Sequence, residues 1–537
     1  MKRTYSIIFA FLIVTSSFAG NLPVQPIPDL LLQQITEYKA KEHIEFLASD
    51  AMRGRNTPSP ELEKAAEYIA DYFKKAGVEP INGTYFHNYN LFKVNLGEPN
   101  AFSIKTKDST VAFKIKDDFI PFDVTGATTL VDKEIVFAGY GISAPEIGYD
   151  DYSGIDVKGK VVVVIRGGPK FDDTTSPFTW KKGGIRYMTH DVKAATAIKN
   201  GAIGMIVFNS PRSSNALRAS GFPWPSLFPK MASDALPLKI KSNKESLLAH
   251  FPIIHCGERA AITLFGTVEN LKNAQIAIDT LMKPASFLLQ NVKVEDLTIT
   301  TVEKEFTVRN VMGIVKGSEK PDEYVVIGSH YDHVGASQPN DPTKDSIYNG
   351  ADDNASGTAG MLLMAESFAQ TDPKPKRSIV FLAFSGEEKG LLGSQAFTDN
   401  PPLPLENCVS MLNMDMIGRA EQDSLCIGGN TRCKELADLN EVENNQIEKP
   451  FSLHYNIENF FFRSDQANFA KKKIPVLFYF TGEHKDYHKV TDEISKINFP
   501  DLVRITKLCA RTAWKTASID ERLPYTPQKS DNMDIIH

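Results

Sequence analysis

Apolar residues form short, nearly continuous runs over the C-terminal part of the chain, residues 308–520, and amphipathic stretches separate these runs. An unbroken apolar run is typical of a strand buried on both faces of a sheet, whereas a spacing of three and four residues is typical of a helix. The alternation indicates an α/β fold, a mostly parallel sheet covered by helices on both faces. We predict helices at 60–76, 357–370, 391–398 and 500–517, and strands at 310–316, 323–329, 378–385, 408–415 and 474–480.

Residues 125–285 have a different pattern from the C-terminal part. Short apolar strands at 135–137, 161–165 and 205–208 and a helical stretch at 192–199 are punctuated by glycines. This pattern is typical of a small α/β unit. Because Asp, Glu and His do not cluster there at ligand spacing, we predict an inserted domain without chemistry of its own.

The N-terminus predicts export. Lys2 and Arg3 precede an apolar run at 7–14, and small residues follow up to Ala19. This order is typical of a secretory signal peptide, so we expect residues 1–19 to be removed and the protein to be periplasmic or extracellular. The run is too short to span a bilayer, and no later run of about twenty apolar residues occurs. We therefore expect no membrane anchor in the mature chain.

Composition narrows the classes of partner. The chain has 537 residues, of which 60 are Lys or Arg and 66 are Asp or Glu, so its formal net charge is −6. Without a basic excess to neutralise phosphates, nucleic acid is not an expected partner. The five cysteines are too few for a disulfide scaffold, and the absence of a Cys-x-x-Cys pair argues against a thiolate zinc site. Cys426 and Cys433 are close enough in sequence to bridge, and the sequence leaves their pairing open.

Carboxylate and imidazole side chains stand at the ends of the predicted strands. The carboxyl ends of parallel strands meet in one crevice, where open α/β sheets bind ligands. Any one of these residues alone would fit a solvated loop or an acidic helix start, but their coincidence at five strand ends predicts a site. The residues are His330, Asp332 and His333; Asp352 and Asp353; Glu387 and Glu388; Asp415; and the run 483–488, which ends at His488.

Two histidines and three carboxylates suit two Zn²⁺ ions that share one bridging carboxylate. Such an ion pair activates a water for hydrolysis, and a further carboxylate must accept the proton of that water. Side chains of adjacent residues point in different directions. Of Glu387 and Glu388, one can therefore bind metal while the other faces the water.

The motifs that carry these residues closely resemble those of the M28 family of dizinc aminopeptidases. A second segment, 135–208, with the runs FAGYGI and DYSGIDVKGKVVVVIRGGP, resembles the protease-associated (PA) domain that is often inserted in this family. The matching motifs are SHYDHVG (329–335), NGADDNASGTAG (349–360), FSGEEKGLLGS (384–394), NMDMIGR (413–419) and DYHKVTDE (486–493). The N-terminal stretch LASDAMRGR (47–55) also looks like the opening segment of the family.

The resemblance implies a role for each site residue. His330 and Asp415 would bind one zinc ion, Glu388 and His488 the other, and Asp353 would bridge the two. Glu387 would be the general base and later the general acid, and Tyr487 would stabilise the oxyanion. Asp332 would fix the His330 imidazole. One motif departs from the family: members commonly show Arg-Ser-Asp-His, and this chain has Gln466 at the last position.

The resemblance also implies a domain organisation and an activity. We expect a signal peptide at 1–19, peptidase segments at 20–124 and 286–520, the PA-like insertion at 125–285, and a loose tail at 521–537. The expected activity is hydrolysis of N-terminal residues from peptides with a free N-terminus.

Several alternatives remain at this point. A carboxypeptidase with the same dizinc core is the strongest, and a glutaminyl cyclase shares the fold but uses one zinc. A PA-type receptor without activity is disfavoured because no ligand is lost. A serine hydrolase and a single-zinc protease are disfavoured because the chain has neither G-x-S-x-G nor H-E-x-x-H.

Overall fold

The computed structural model describes residues 25–122, 127–179, 184–212, 217, 238–240, 248, 250–337, 343–528 and 531. The predicted signal peptide lies outside these residues. The chain divides into two compact units: the first runs to Tyr89 and resumes at Thr307, and the second comprises Asn90–Phe306.

Helices occur in both units, and the predicted ones at 60–76 and 357–370 are confirmed with the same bounds. The helices are α1 (Asp29–Gln33), α2 (Glu37–Leu47), α3 (Pro60–Ala76), α4 (His190–Lys199), α5 (Glu258–Phe265), α6 (Val268–Leu281), α7 (Gly357–Gln370), α8 (Leu392–Asp399), α9 (Lys434–Asn444), α10 (Glu458–Phe461), α11 (Gln466–Lys471) and α12 (Phe499–Ser518).

The strands are β1 (Phe86–Leu96), β2 (Ala101–Thr106), β3 (Thr110–Phe113), β4 (Phe119–Pro121), β5 (Thr128–Phe137), β6 (Ser143–Ala144), β7 (Tyr149–Asp150), β8 (Val161–Ile165), β9 (Gly204–Phe208), β10 (Lys239–Ile240), β11 (Ile253–Cys256), β12 (Phe287–Ile299), β13 (Thr301–Val315), β14 (Lys320–His330), β15 (Arg377–Phe384), β16 (Cys408–Met414), β17 (Ser424–Gly428), β18 (Ser452–His454) and β19 (Val476–Phe480).

Local sequence explains why α3 begins and ends where it does. The Ser59 side chain accepts a hydrogen bond from the Leu62 amide, and Pro60 occupies the first turn, where its missing N–H costs nothing. Gly77 ends the helix in the left-handed region at φ +85°. The buried residues of α3, among them Leu62, Ile69 and Phe73, lie on one side of the helix and pack in the core of the first unit.

The first unit is built on a mostly parallel sheet in the order β13-β15-β14-β16-β19-β17-β18. The four strands β15, β14, β16 and β19 are parallel neighbours, and β13 and β17 pair with them antiparallel. Alternate residues of β15 enter two separate cores: Ile379 and Phe381 pack with α2, α3, α7 and α12, whereas Val380 and Leu382 pack with α8 and α11. The predicted α/β fold, with helices on both faces, is confirmed.

The second unit holds an eight-stranded mixed sheet in the order β3-β2-β12-β5-β8-β9-β11-β4. β8 is buried on both faces, with Val161 and Val163 in one core and Val162 and Val164 in the other. Helices α5 and α6 cover the first face and α4 the second.

This unit is wider than the predicted insertion at 125–285. The reason is that β12 pairs antiparallel with both β2 and β5, which draws residues on either side of the predicted insertion into its sheet. Such pairing joins segments far apart in the sequence, so the local pattern did not reveal it.

The C-terminal segment also differs from the expected loose tail. Within the described residues, the Thr526 amide donates to the Arg432 carbonyl oxygen at 2.7 Å, and the Tyr525 hydroxyl donates to the Ala470 carbonyl oxygen at 2.8 Å. The first part of the segment is therefore hydrogen-bonded to the first unit.

The structure adds two facts on the cysteines and the helices. All five cysteines are free thiols, so Cys426 and Cys433 are not bridged. Among the described residues, no helix has the length and apolar character needed to cross a membrane.

Candidate metal centre

Parallel strands deliver most of the predicted site residues to one edge of the sheet. β14 ends at His330, and Glu387 and Glu388 lie in a 3₁₀ turn just after β15. Asp415 directly follows β16, and His488 lies in the loop after β19. These positions are the carboxyl ends of the four parallel strands, where the sequence predicted the site.

Asp353 comes from the turn ahead of α7 rather than from a strand. The segment Ala351–Ser356 departs from helical geometry at Asp353, whose peptide bond to the next residue is cis. Gly350 opens this turn at φ +58°, and a Cβ there would lie 2.2 Å from the Asp353 carbonyl oxygen. Only glycine fits so close an approach, which explains the Asn-Gly that precedes the acidic pair.

The potential ligands form two groups. One consists of His330, Glu387 and Asp415, and the potential ligand atoms of these residues all lie within 4.8 Å of one another. The His330 Nε2 atom is 3.3 Å from Asp415 Oδ1 and 3.9 Å from Glu387 Oε2. It also lies 3.3 Å from Oδ1 of Asp353, which belongs to the neighbouring group.

The second group consists of His333, Asp353, Glu388 and His488. The His488 Nε2 atom is 2.9 Å from Glu388 Oε2 and 3.1 Å from Asp353 Oδ2. The two oxygens of Asp353 thus face different groups, Oδ1 the first and Oδ2 the second. This is the arrangement that a bridging carboxylate requires.

His333 is a member of the second group that the sequence did not single out for a role. Its Nδ1 atom lies 2.8 Å from Glu388 Oε1 and 3.6 Å from Asp353 Oδ2, and the side chain is fully buried. Its position in the same short loop as His330 and Asp332 could have indicated a role for His333. A second imidazole in that loop must either turn towards the same crevice or be buried elsewhere.

Unpaired polar atoms test whether these residues suit a metal. Buried polar atoms nearly always have hydrogen-bond partners. In the part of the chain that the structure describes, six potential ligand atoms of these two groups are buried and have no hydrogen-bond partner of acceptable geometry. They are both ring nitrogens of His333, Asp353 Oδ2, Glu388 Oε1, Asp415 Oδ1 and His488 Nε2. Imidazole nitrogens and carboxylate oxygens are ligands for Zn²⁺, so the residues fit a pair of zinc ions.

Electrostatics in the first group are governed by burial and by mutual contact. Burial alone would lower the pKa of His330, but the carboxylates of Glu387 and Asp415 outweigh it and raise that pKa well above its ordinary value. Burial raises the pKa of Glu387 well above its ordinary value, and the nearby carboxylates of Glu388 and Asp415 act in the same direction. In the metal-free protein, both shifts favour the protonated forms of His330 and Glu387.

The second group shows the complementary shifts. Burial opposes the charge of His488, but its contacts with Asp353 and Glu388 raise its pKa to about 10. The pKa of Asp353 is held well below its ordinary value despite burial, because His333, His330 and His488 surround it. The pKa of Glu388 is lowered as well, since contacts with His333 and His488 offset burial and the repulsion by Asp353.

Asp332 fixes the loop of the two glutamates more directly than it fixes His330. Its Oδ2 accepts hydrogen bonds from the Gly386 amide at 2.8 Å and the Thr57 hydroxyl at 2.7 Å, and its Oδ1 accepts one from the Glu387 amide at 3.2 Å. The His330 Nδ1 atom lies 3.6 Å from that carboxylate and 3.2 Å from the backbone oxygen of Asp332. The predicted contact with the imidazole is thus made at hydrogen-bond distance by the backbone.

A second carboxylate ties the Asp353 turn to the loop of His488. Asp492 accepts hydrogen bonds from the backbone amides of Asp352 and Asp353 at 3.1 Å. In return, Asp352 Oδ2 lies 3.2 Å from the His484 ring, in the same loop as His488. The sequence alone did not identify Asp492, because its partners come from a distant turn.

Tyr487 lies beside the second group. Its ring stacks on His488 with centroids 3.9 Å apart and an interplanar angle of 21°. Burial and the carboxylates of Asp353 and Glu388 raise the pKa of its hydroxyl, so the group stays protonated and can donate a hydrogen bond. The Arg463 side chain approaches that hydroxyl at 3.4 Å.

Gln466, where the chain departs from the family motif, is buried and hydrogen-bonded within the first unit. Its Oε1 accepts a hydrogen bond from Asn413 at 2.8 Å, and its Nε2 donates to the Phe461 carbonyl oxygen at 2.6 Å. The neighbouring Asp465 is fully buried, and burial raises its pKa to about 7. The Gln466 side-chain amide thus makes hydrogen bonds to other parts of the first unit through both its oxygen and its nitrogen.

Two protein-family models match this chain. Residues 310–513 match the model of peptidase family M28, and residues 116–230 match that of the PA domain.

Among curated proteins, a "Probable zinc metalloprotease" of Pyrenophora teres f. teres (strain 0-1) is 42% identical over 116 residues, which cover 22% of this chain and 24% of that protein. A "Probable glutamate carboxypeptidase VP8" of Zea mays is 26% identical over 271 residues, which cover 49% and 34%. The chain thus spans about a quarter to a third of the length of these relatives.

Among solved structures, an aminopeptidase from Aneurinibacillus sp. strain AM-1 is 19% identical with a TM-score of 0.48, covering 93% of this chain and 98% of that one. The two family matches fall on the two units, with the M28 match over the strands that carry the site. The first unit therefore contains a peptidase family M28 region at residues 310–513, and the second contains a PA-domain region at residues 116–230.

Proposed function

We propose that the protein is a dizinc aminopeptidase that removes N-terminal residues from peptides. The observation that carries the proposal is the pair of adjoining ligand groups, joined by the two oxygens of Asp353 and left with unpaired buried atoms. A site whose buried donors and acceptors are unsatisfied is costly unless a ligand completes it.

Each group supplies ligands of the types that zinc prefers. His330 and Asp415 would hold one ion, Glu388 and His488 the other, and Asp353 would bridge them. His333, with Nδ1 close to Glu388 and Asp353, is available to the second ion or as the group that orients Glu388. When bound, such an ion pair lowers the pKa of a water and polarises a scissile carbonyl.

Glu387 is the proposed general base and general acid of the reaction. It belongs to the first group, but its Oε2 is farther from His330 Nε2, at 3.9 Å, than the oxygens of Asp353 and Asp415 at 3.3 Å. A carboxylate in this position can accept a proton from the attacking water and return it to the leaving amine. Its raised pKa, caused by burial and by nearby carboxylates, favours a group that alternates between the two forms.

Two further residues support this chemistry. Asp332 fixes the turn of Glu387 through hydrogen bonds to the Gly386 and Glu387 amides. The protonated Tyr487 hydroxyl, beside His488, can donate a hydrogen bond to the oxygen that becomes negative as the carbonyl is attacked.

Recognition of a free N-terminus would rest on carboxylates at the site. Glu387 and Asp415 are the candidates to receive an α-ammonium group, and Asp415 Oδ1 lacks a hydrogen-bond partner within the described part of the chain. Acetylating the substrate removes the cation and leaves a buried carboxylate uncompensated, so we expect it to hinder cleavage strongly.

One peptide offered in three forms tests the proposal: with free ends, with an acetylated N-terminus, and with an amidated C-terminus. We expect the free and amidated forms to lose N-terminal residues stepwise and the acetylated form to persist. Release of C-terminal residues instead would assign a carboxypeptidase, the activity for which the Zea mays relative is named. Cleavage of none of the three by zinc-loaded protein would contradict peptidase activity on this substrate class.

A further inference from the structure

A buried arginine in the opening segment has an unusual set of partners. Arg55 is 0% exposed, and an arginine side chain has five N–H donors. All five donate to backbone carbonyl oxygens. The partners are Tyr331 at 2.9 Å, Leu47 at 2.7 Å, Asn349 at 2.6 Å, Gly350 at 2.9 Å and Asp353 at 3.5 Å.

Four of these five carbonyls belong to the two segments that carry the His330 and Asp353 side chains. Tyr331 lies directly between His330 and Asp332. Gly350 opens the turn that presents Asp353, and Asp353 itself is bonded through its backbone oxygen. One planar guanidinium therefore holds the backbone next to His330 and the backbone of the bridging residue in fixed relation. Its remaining bond, to Leu47, anchors both to the end of α2.

The chain around Arg55 is itself clamped to the same loops. Gly54 has φ +67°, and a Cβ there would lie 2.3 Å from the Gly335 carbonyl oxygen, so the segment approaches that loop closely. The Arg55 carbonyl oxygen accepts a hydrogen bond from the His333 amide at 3.3 Å. Two residues on, the Thr57 hydroxyl donates to Asp332.

The charge of Arg55 is also placed near the site. Burial lowers its pKa to about 10, while the carboxylates of Asp353 and Asp332 oppose this, so the guanidinium is charged at neutral pH. A cation bonded only to neutral carbonyl oxygens balances the surrounding carboxylates without occupying any of their oxygens. The oxygens of Asp353 and Glu388 therefore remain available to metal.

We propose that Arg55 is a positioning residue that presets the loops of His330 and Asp353 for metal binding. This inference rests on the proposed zinc function. The Arg55 cation could affect zinc affinity in two ways, and these two effects have opposite signs. Removing a nearby positive charge should by itself strengthen binding of a dication, whereas removing the positioning bonds should weaken it.

Two variants and one control test the proposal. Arg55→Met removes both the charge and the donors, and Arg55→Lys keeps the charge but cannot make five bonds in a planar fork. Arg53→Met is the matched control, because Arg53 is exposed and has a positive φ, of +43°, as does Arg55, at +38°. Metal-stripped proteins are titrated with Zn²⁺ against a competing chelator, with circular dichroism as the check on folding.

We expect both Arg55 variants to bind Zn²⁺ roughly 10–100-fold more weakly than the natural chain, the usual cost of losing an outer partner of a metal ligand. The rise in Tm on adding Zn²⁺ should shrink, whereas a merely structural role would lower Tm equally with and without metal. Arg53→Met should match the natural chain in both measurements.

Unchanged or tighter zinc binding by folded Arg55→Lys and Arg55→Met would overturn the proposal, and so would a failure of both variants to fold, which would assign Arg55 to the general core. Failure of the natural chain to bind zinc would be a different result. It would remove the proposed function rather than distinguish the roles of Arg55.

Discussion

Both units bury charged side chains, but they differ in whether the protein itself supplies the hydrogen-bond partners of these groups. In the second unit, Lys193 is fully buried, and its Nζ donates to the carbonyl oxygens of Tyr140, Ile165 and Gly167. Asp151 is buried nearby and accepts three hydrogen bonds of 2.7–3.0 Å, from the Tyr140 and Ile142 amides and the Tyr149 hydroxyl. Each charged group there is satisfied by the protein itself.

In the first unit, several buried atoms that could bind a metal lack hydrogen-bond partners among the described residues. Within the described residues, the groups of at least three potential metal ligands all fall in this unit, and several of their atoms have no hydrogen-bond partner. A buried polar set that is complete by itself stabilises a fold, whereas an incomplete one costs stability until a ligand fills it. We therefore expect a structural role for the Lys193 network and a ligand-binding role for the site around Asp353.

The largest expected effect is at the bridging position. Asp353→Ala removes a carboxylate whose two oxygens face both groups, so we expect loss of most bound zinc and of peptidase activity together. Elemental analysis and an aminoacyl-anilide assay measure the two losses. Asp322→Ala, an exposed position on the strand that ends at His330, is the control and should change neither. Retention of both ions by Asp353→Ala would break the bridging assignment.

Next in size is the loss of proton transfer at Glu387. In Glu387→Gln the amide cannot accept the proton of the attacking water, so kcat should fall roughly 10²–10⁴-fold while zinc content stays unchanged. Glu388→Gln is the matched comparison on the adjacent residue, and we expect it to weaken zinc binding itself. Near-normal turnover in Glu387→Gln would show that another residue accepts the proton.

A smaller effect is expected on the pH dependence of metal binding. In the metal-free protein, contacts with Asp353 and Glu388 raise the pKa of His488 to about 10, against burial, so its imidazole is protonated at pH 7. Zinc binds the neutral imidazole, so binding must release this proton, and affinity should rise as pH rises towards 10. Each proton released gives about a tenfold increase in affinity per pH unit.

Calorimetric titrations in buffers of different ionisation enthalpy count the protons released on zinc binding. We expect at least about one per chain at pH 7, from His488, and more if His330 also loses a proton. An affinity that does not change between pH 6 and pH 8 would contradict the electrostatics described for both groups.

The smallest expected effect on the site comes from the second unit. Lys193→Met leaves three buried carbonyl oxygens without their donor, which should lower the free energy of unfolding by about 1–3 kcal/mol. Zinc stoichiometry and kcat on an aminoacyl-anilide should not change. Denaturant unfolding and zinc titration provide the readouts, with the exposed Lys199→Met on the same helix as the control. A loss of zinc in folded Lys193→Met would break the contrast between the units.

Local pattern accounts for much of the fold. The α3 helix was predicted from its capping residues and apolar spacing, and the parallel strands of the first unit from unbroken apolar runs. The bounds of the second unit could not be predicted in this way, because the pairing of β2 with β12 joins segments that are distant in the sequence. Helix α9 was missed as well; its sequence is largely polar, with only a few buried residues to mark a face.

The same distinction holds for the site. Residues that end apolar strands, such as His330 and Asp415, could be found because strand order brings carboxyl ends together. Arg55, His333 and Asp492 could not be assigned roles in this way. Their functions depend on contacts between loops far apart in the chain, which neither periodicity nor spacing encodes.

The number of zinc ions bound per chain distinguishes a site for two zinc ions from a site for one. Metal-stripped protein is saturated with Zn²⁺, freed of excess by gel filtration and analysed for metal and protein. The adjoining ligand groups predict about two ions per chain. About one tightly bound ion in fully active, zinc-replete protein would contradict the dizinc account.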